Sequence, residues 1–145
     1  MRLRAVIPSD HDALFRLLTD KTVRKFLGGP VSDEIALKRV SACISDKSDY
    51  LKVIEVENQC AGVISFTQHC EEEGIELSYE LLPEFVGKGI AFRAISTILE
   101  DVQRPVIAET QKANIRSRNL LERLGIKEKR FCTRHDATQV IACLS

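Results

Sequence analysis

Glu76, Ser78 and Glu80 alternate along the run Ile75 to Leu82, and Pro83-Glu84-Phe85-Val86-Gly87-Lys88-Gly89-Ile90-Ala91 follows directly. Alternation puts the two carboxylates and the hydroxyl on one side of a strand and Leu77, Tyr79 and Leu81 on the other. Such a row supplies candidate proton acceptors. The glycine segment offers a second chemistry, because it leaves a strand-like run and opens a helix-like one. A helix N-terminus carries unsatisfied N–H groups and a partial positive charge. Gly87 and Gly89 let a bulky anion approach the main chain and Lys88 adds a mobile cation, so the segment reads as a pyrophosphate cradle. It has neither the Gly-Lys-Ser/Thr of a nucleotide-hydrolysing loop nor the three glycines of a dinucleotide fingerprint, so a different pyrophosphate compound is expected.

The elements that must hold these residues follow from periodicity. Arg2 to Val6 is a first strand, and Ser9 is expected to cap a helix with Leu14, Phe15, Leu17 and Leu18 on its apolar side. Gly28-Gly29-Pro30 breaks the chain, and Ser32 caps the next helix, whose Leu37, Val40 and Ile44 form the predicted buried stripe. From Leu51 the period becomes two: Leu51 to Val56 and Ala61 to Thr67 form a hairpin, Glu71-Glu72-Glu73-Gly74 a solvated tip, and Ile75 to Leu82 a third strand. After the glycine loop, Ile90, Ala94, Ile95, Ile98 and Val102 mark a helix that ends before Pro105. Val106 to Glu109 is a strand, and a helix running from Asn114 to Gly125 precedes a terminal hairpin turning at Thr133 to Asp136. The strands flanking the loop helix form a crossover unit and are therefore expected to be parallel.

The chain of 145 residues, 44% apolar, is the size of one domain with its own core, so residues 1–145 are expected to form a single unit. Lysine plus arginine balance aspartate plus glutamate, 21 against 21, which disfavours a nucleic-acid or membrane partner. The opening residues turn polar at Pro8-Ser9-Asp10 and no apolar run is of membrane length, so no secretion signal and a cytoplasmic location are expected. Five cysteines without a Cys-x-x-C fit reduced thiols. Cys132-x-x-His135 with His69-Cys70 makes a poor zinc site: paired knuckles are missing, and adjacent strand residues point to opposite faces. No metal is expected.

The run Glu76 to Ala91 resembles the coenzyme A motif of the GNAT superfamily of N-acetyltransferases, and especially that of bacterial enzymes acetylating ribosomal-protein N-termini. Asn114-Ile115-Arg116-Ser117-Arg118-Asn119-Leu120-Leu121-Glu122-Arg123-Leu124-Gly125-Ile126 is similar to the family's second motif. The resemblance covers essentially the whole chain. It implies an α/β (α+β) fold: a mixed, mostly antiparallel central sheet of six to seven strands, helices on both faces, and a splayed parallel pair at the cofactor cleft. It further implies acetyl-CoA as co-substrate and transfer of acetyl to a primary amine, on a protein N-terminus or a small molecule, by direct attack in a ternary complex. Amides of Val86, Gly87, Lys88, Gly89, Ile90 and Ala91 would hold the pyrophosphate, main-chain groups of Leu81 and Leu82 the pantetheine arm, and Asn114 the coenzyme or the adjoining loop. Asn114 has a helix-capping role as its alternative.

Acetyl transfer needs a base for the ammonium and an acid or stabiliser for the thiolate. By resemblance Glu76 is the first-choice base and Glu80 the second, with Glu55 and Glu109 weaker. Many relatives protonate the thiolate with a tyrosine where this chain has Leu121, and Ser117 is the substitute the resemblance offers. Two further departures stand out: Glu84 occupies the loop position where a Gln or Arg is customary, and Arg93 replaces a frequent glutamate. Leu121 and Glu84 motivate an alternative reading as a coenzyme A-binding regulatory module with little catalysis. Pairing of terminal strands would give a homodimer, and a monomer is the other arrangement.

Overall fold

In the computed structural model, which describes all 145 residues, the order is β1 (Arg2–Arg4), α1 (His11–Thr19), α2 (Asp33–Ser45), β2 (Leu51–Val56), β3 (Gln59–Gln68), β4 (Ile75–Leu81), α3 (Ile90–Leu99), β5 (Val106–Gln111), α4 (Ile115–Arg123), β6 (Lys127–Arg134) and β7 (Ala137–Leu144). The strands form one mixed sheet in the order β1-β2-β3-β4-β5-β7-β6. Antiparallel pairing dominates, and β4 with β5 is the parallel pair, in register at Ile75↔Val106 and Glu76↔Ile107. The crossover through α3 is what makes that pair parallel. No helix is long and apolar enough to cross a membrane. The chain divides into two compact units, Met1–Ser65 with Tyr79–Ala94 and Phe66–Ser78 with Ile95–Ser145.

In the first unit, Leu14 and Leu17 of α1, Val40 of α2, Val53 of β2, Cys60 and Val63 of β3, and Leu82 pack into one core. Each large apolar side chain so buried contributes about 1.5–3 kcal/mol. The α2 stripe differs from the sequence reading by one position. Ala36 and Val40 are fully buried, while Leu37 stays exposed, because the face that meets the core runs through 36, 40, 43 and 44. Ser32 caps α2 as expected, accepting the Ile35 N–H. Ser9 does not cap α1: a short 3₁₀ turn (Pro8–Asp10) precedes the helix, no side chain caps α1, and buried Asp10 closes the 3₁₀ turn. Its carboxylate accepts the Ile7 N–H at 2.8 Å and both terminal nitrogens of Arg4, whose Nε reaches Glu55 on β2. Burial works against the Asp10 charge, but Arg4 and the amide prevail and hold its carboxyl below the usual range.

Gly62 on β3 has a steric reason. A Cβ there would lie 2.0 Å from the Glu80 carbonyl oxygen and 2.9 Å from Leu81 Cα, both backbone atoms at the end of β4. The main chain that carries Glu80 and leads into the glycine loop can press against β3 only because no side chain intervenes. Gly62→Ala is therefore expected to lower stability by about 3 kcal/mol, at the upper end of overpacking costs, read as a shifted denaturant midpoint.

In the second unit, Val106, Ile107 and Ala108 of β5, Leu121 of α4, Ile126, and Val140, Ile141 and Ala142 of β7 are buried. The hairpin of β6 and β7 turns through His135 and Asp136, both at positive φ, which is the geometry of a two-residue turn.

Candidate active site

The glycine loop is built as a donor array. Pro83–Phe85 forms a 3₁₀ turn, and Gly87 (φ 81°) and Gly89 (φ 74°) then adopt left-handed conformations before α3 begins at Ile90. The first completed helical bond is Arg93 N–H to the Gly89 carbonyl, so the amides from Gly87 to Ala91 have no protein acceptor. A Cβ at Gly87 or Gly89 would meet nothing within 4 Å, so the backbone there faces open space. Unbonded amides at a helix N-terminus, with the Lys88 ammonium 6.0 Å from the Phe85 ring, fit a polyphosphate. Val86 departs from expectation: its N–H donates to the Pro83 carbonyl at 3.2 Å and is not available to a ligand. Leu82 is likewise engaged, its N–H donating to the Ala61 carbonyl at 2.8 Å and its carbonyl accepting the Phe85 N–H. Leu81 remains the main-chain candidate at the strand end.

Glu84 is held away as an ion-pair partner. Arg16, 68 residues earlier on α1, donates from both terminal nitrogens to its two carboxylate oxygens at 3.1 and 3.0 Å. The Arg16 hydrogen bonds keep the Glu84 carboxyl below the usual range, and the guanidinium offsets the negative charge that phosphate would otherwise meet at the loop entrance.

Of the four carboxylates considered, three are tied. Glu55 accepts from Arg2 and Arg4. Glu80 lies 3.5 Å from Arg24 Nη1, and that same guanidinium donates to the carbonyls of Gly29 and Leu27. Burial raises the Glu80 carboxyl above its ordinary value, with Arg24 opposing. Glu109 accepts the His69 Nε2–H at 2.8 Å and is clamped by Arg134 Nε and Nη2 at 2.7 and 3.1 Å. Glu76 is different. It is half-buried on β4, no side chain or backbone group hydrogen-bonds its carboxyl, and burial pushes that carboxyl above the usual carboxylate range.

The segment after β3 overturns one reading and refines another. His69 and Cys70 lie past the strand end and do not diverge: their ligand atoms and those of Glu109 fall within 4.8 Å of one another. The cluster is nevertheless filled by protein partners. His69 Nδ1 accepts the N–H groups of Glu71 and Glu72, which fixes the ring proton on Nε2 facing Glu109, and Arg134 covers the other Glu109 oxygen. Glu71 and Glu73 are exposed as a solvated tip requires, but two of the tip's carboxylates are paired. Glu71 pairs with Arg130 and Arg134, and Glu72 with Lys129 and Arg130.

On α4, Asn114 is the N-cap: its Oδ1 accepts the Ser117 N–H at 3.2 Å, leaving the side-chain amide donors for another partner. Ser117 is buried, and Leu121, one helical turn later on the same face, is buried as well.

A sequence profile of the acetyltransferase (GNAT) domain matches residues 1–127. The chain belongs to the GNAT acetyltransferase family. It is an acetyl-CoA-dependent N-acetyltransferase, with acetyl-CoA as co-substrate. It is 27% identical over 130 residues to the uncharacterized N-acetyltransferase YnaD of Bacillus subtilis (strain 168), covering 84% of this chain and 76% of that one. The spermidine N-acetyltransferase of Vibrio cholerae, solved with CoA and spermine, shares the fold at a TM-score of 0.79 and 15% identity, covering 99% and 94% of the two chains. The ribosomal-protein-alanine N-acetyltransferase of Brucella melitensis does so at 0.77 and 19% identity, covering 99% of each. For this GNAT enzyme the residues that sequence reasoning missed are Arg16, Arg24 and Arg134, together with the role of His69, which the sequence raised only as a metal ligand. Each acts through a partner 25 to 68 residues away, and no local pattern announces such a pairing.

Proposed function

We propose that residues 1–145 work as one catalytic domain that moves acetyl from acetyl-CoA straight to a primary amine, with both substrates bound together. The observation that carries this reading is Glu76, a half-buried carboxylate with a raised proton affinity and no hydrogen-bonding partner of its own. Amides of Gly87 to Ala91 hold the pyrophosphate, with Lys88 beside them, and the Leu81 main chain pairs with the pantetheine arm. Glu76 takes a proton from the substrate ammonium, directly or through water. The freed nitrogen lone pair attacks the thioester carbonyl carbon, and the tetrahedral intermediate collapses by breaking the carbon–sulfur bond. The nitrogen loses its second proton and the thiolate gains one, with the Ser117 hydroxyl assisting the sulfur in place of the tyrosine that Leu121 lacks. Asn114 supports the site chiefly as the cap that presents Ser117.

The acceptor we favour is a peptide N-terminus, in line with the branch that the two motifs resemble and with the ribosomal-protein relative of the same fold. The charge pattern supports a singly charged amine over a polyamine. Glu71 and Glu72, the acidic run best placed by sequence to draw a polycation, are already matched by Arg130, Arg134 and Lys129. The regulatory-module alternative loses one of its two motives, since Arg16 offsets Glu84.

Calorimetry with acetyl-CoA followed by thiol release over a panel of short peptides, polyamines and amino acids tests the reading. Binding at micromolar ligand and thiol release with peptides are expected. No heat at millimolar acetyl-CoA overturns the cofactor site, and binding without thiol release from any amine overturns the transfer reaction.

A further inference from the structure

We propose that Glu109, gripped between the Nε2–H of His69 and the guanidinium of Arg134, is a positioning residue that holds a fixed negative charge beside Glu76 and so keeps the base ready to take a proton. The inference rests on Glu76 being the base. Its geometry comes from the β4–β5 ladder. Glu76 is in register with Ile107, so Glu109, two residues further along β5, presents its side chain on the same sheet face as Glu76.

Glu109 is held back from swinging toward Glu76 as a direct proton partner, because both oxygens of its carboxylate are claimed. Oε1 accepts from His69 at 2.8 Å and Arg134 Nη2 at 3.1 Å, and Oε2 accepts from Arg134 Nε at 2.7 Å. His69 is itself immobilised. Its side chain is 0% exposed, and its Nδ1 is bound by two main-chain N–H groups, so the ring can offer Glu109 only its Nε2–H. Arg134 is anchored at its far end by Glu71. The charged or titratable groups facing Glu76 are thus Glu109 from β5, Arg134 from β6 and the His69 ring from the segment after β3. Burial and Glu109 favour the protonated form of Glu76, while His69 and Arg134 oppose it.

The two charged neighbours act in opposite directions, which gives a signed test. In Glu109→Gln the repelling charge is gone and Arg134 is left uncompensated, so the acid limb of the kcat/KM–pH profile should move down by about one unit. In Arg134→Gln the Glu109 charge is unmasked, and the limb should move up. Direct titration of the ¹³C-labelled Glu76 carboxyl in the free enzyme should show the same pair of opposite shifts. Shifts of one sign in both variants, or none in either, overturn the proposal. If the carboxyl titration shifts as stated while the rate profile ignores both variants, Glu109 still tunes Glu76 but Glu76 is not the base. The two failures are therefore separable, and the Arg134 variant reports even where Glu109→Gln does not fold.

Discussion

Glu76→Gln is expected to lower kcat/KM by about 10²–10⁴-fold, the usual contribution of a positioned acid–base group, with the KM for acetyl-CoA little changed. The glutamine keeps the shape of the side chain and removes only its ability to take a proton. The pH profile supplies the sign. The folded-state carboxyl sits above the ordinary value because burial disfavours its charge, so the wild-type rate should fall as pH drops through that raised value and the base is lost to protonation. The variant should lack this limb. Stability moves the other way. A carboxyl with a raised folded-state pKa loses stability as pH rises from its unfolded value through its folded one, so at neutral pH the charged Glu76 is a cost and glutamine should leave the thermal midpoint unchanged or slightly higher. A variant that loses activity and melts earlier would point to a structural role for Glu76. Glu80→Gln makes the control, since its carboxylate holds Arg24 and through it the carbonyls of Leu27 and Gly29. Its effect should fall on acceptor KM more than on the acid limb.

Gly89→Val is expected to weaken acetyl-CoA binding by roughly a hundredfold while costing the fold only about 1–2 kcal/mol. At φ 74° a β-branched side chain is strained, and relief of that strain rotates the peptide units that carry the exposed amides. Hydrogen bonds from such amides to a charged phosphate are worth about 1.5 kcal/mol or more each, so loss of a pair accounts for the drop in affinity. The space around Gly89 is open, so no clash inside the protein obscures the result. Calorimetry gives the affinity and a denaturant curve gives the stability. Full binding in a strained but folded variant would show that the pyrophosphate sits elsewhere. Gly62→Ala shows the reverse pattern, because its Cβ would strike backbone.

The order of elements, the parallel crossover, the glycine loop and the family were all present in the sequence of this GNAT enzyme, because each depends on local rules. Alternation sets strand faces, glycines at a strand-to-helix junction permit the amide array, and motifs record spacing. Local rules failed where a neighbour in space competes with a neighbour in sequence. Ser9 caps no helix because its segment folds into a 3₁₀ turn where Arg4 and the Ile7 amide converge on Asp10, and Leu37 was left outside because the core meets α2 one position earlier. Val86 and Leu82 kept their amides for internal bonds. Among chemically identical carboxylates the sequence could only rank by likeness. Tertiary structure separated them by placing arginines: Arg16 on Glu84, Arg24 on Glu80, Arg134 on Glu109, and none in hydrogen-bonding contact with Glu76. Composition thus fixed a balanced set of charges, and only the fold decided which carboxylate was left without a hydrogen-bonding partner, since pairing is set by distance across the sheet and not along the chain.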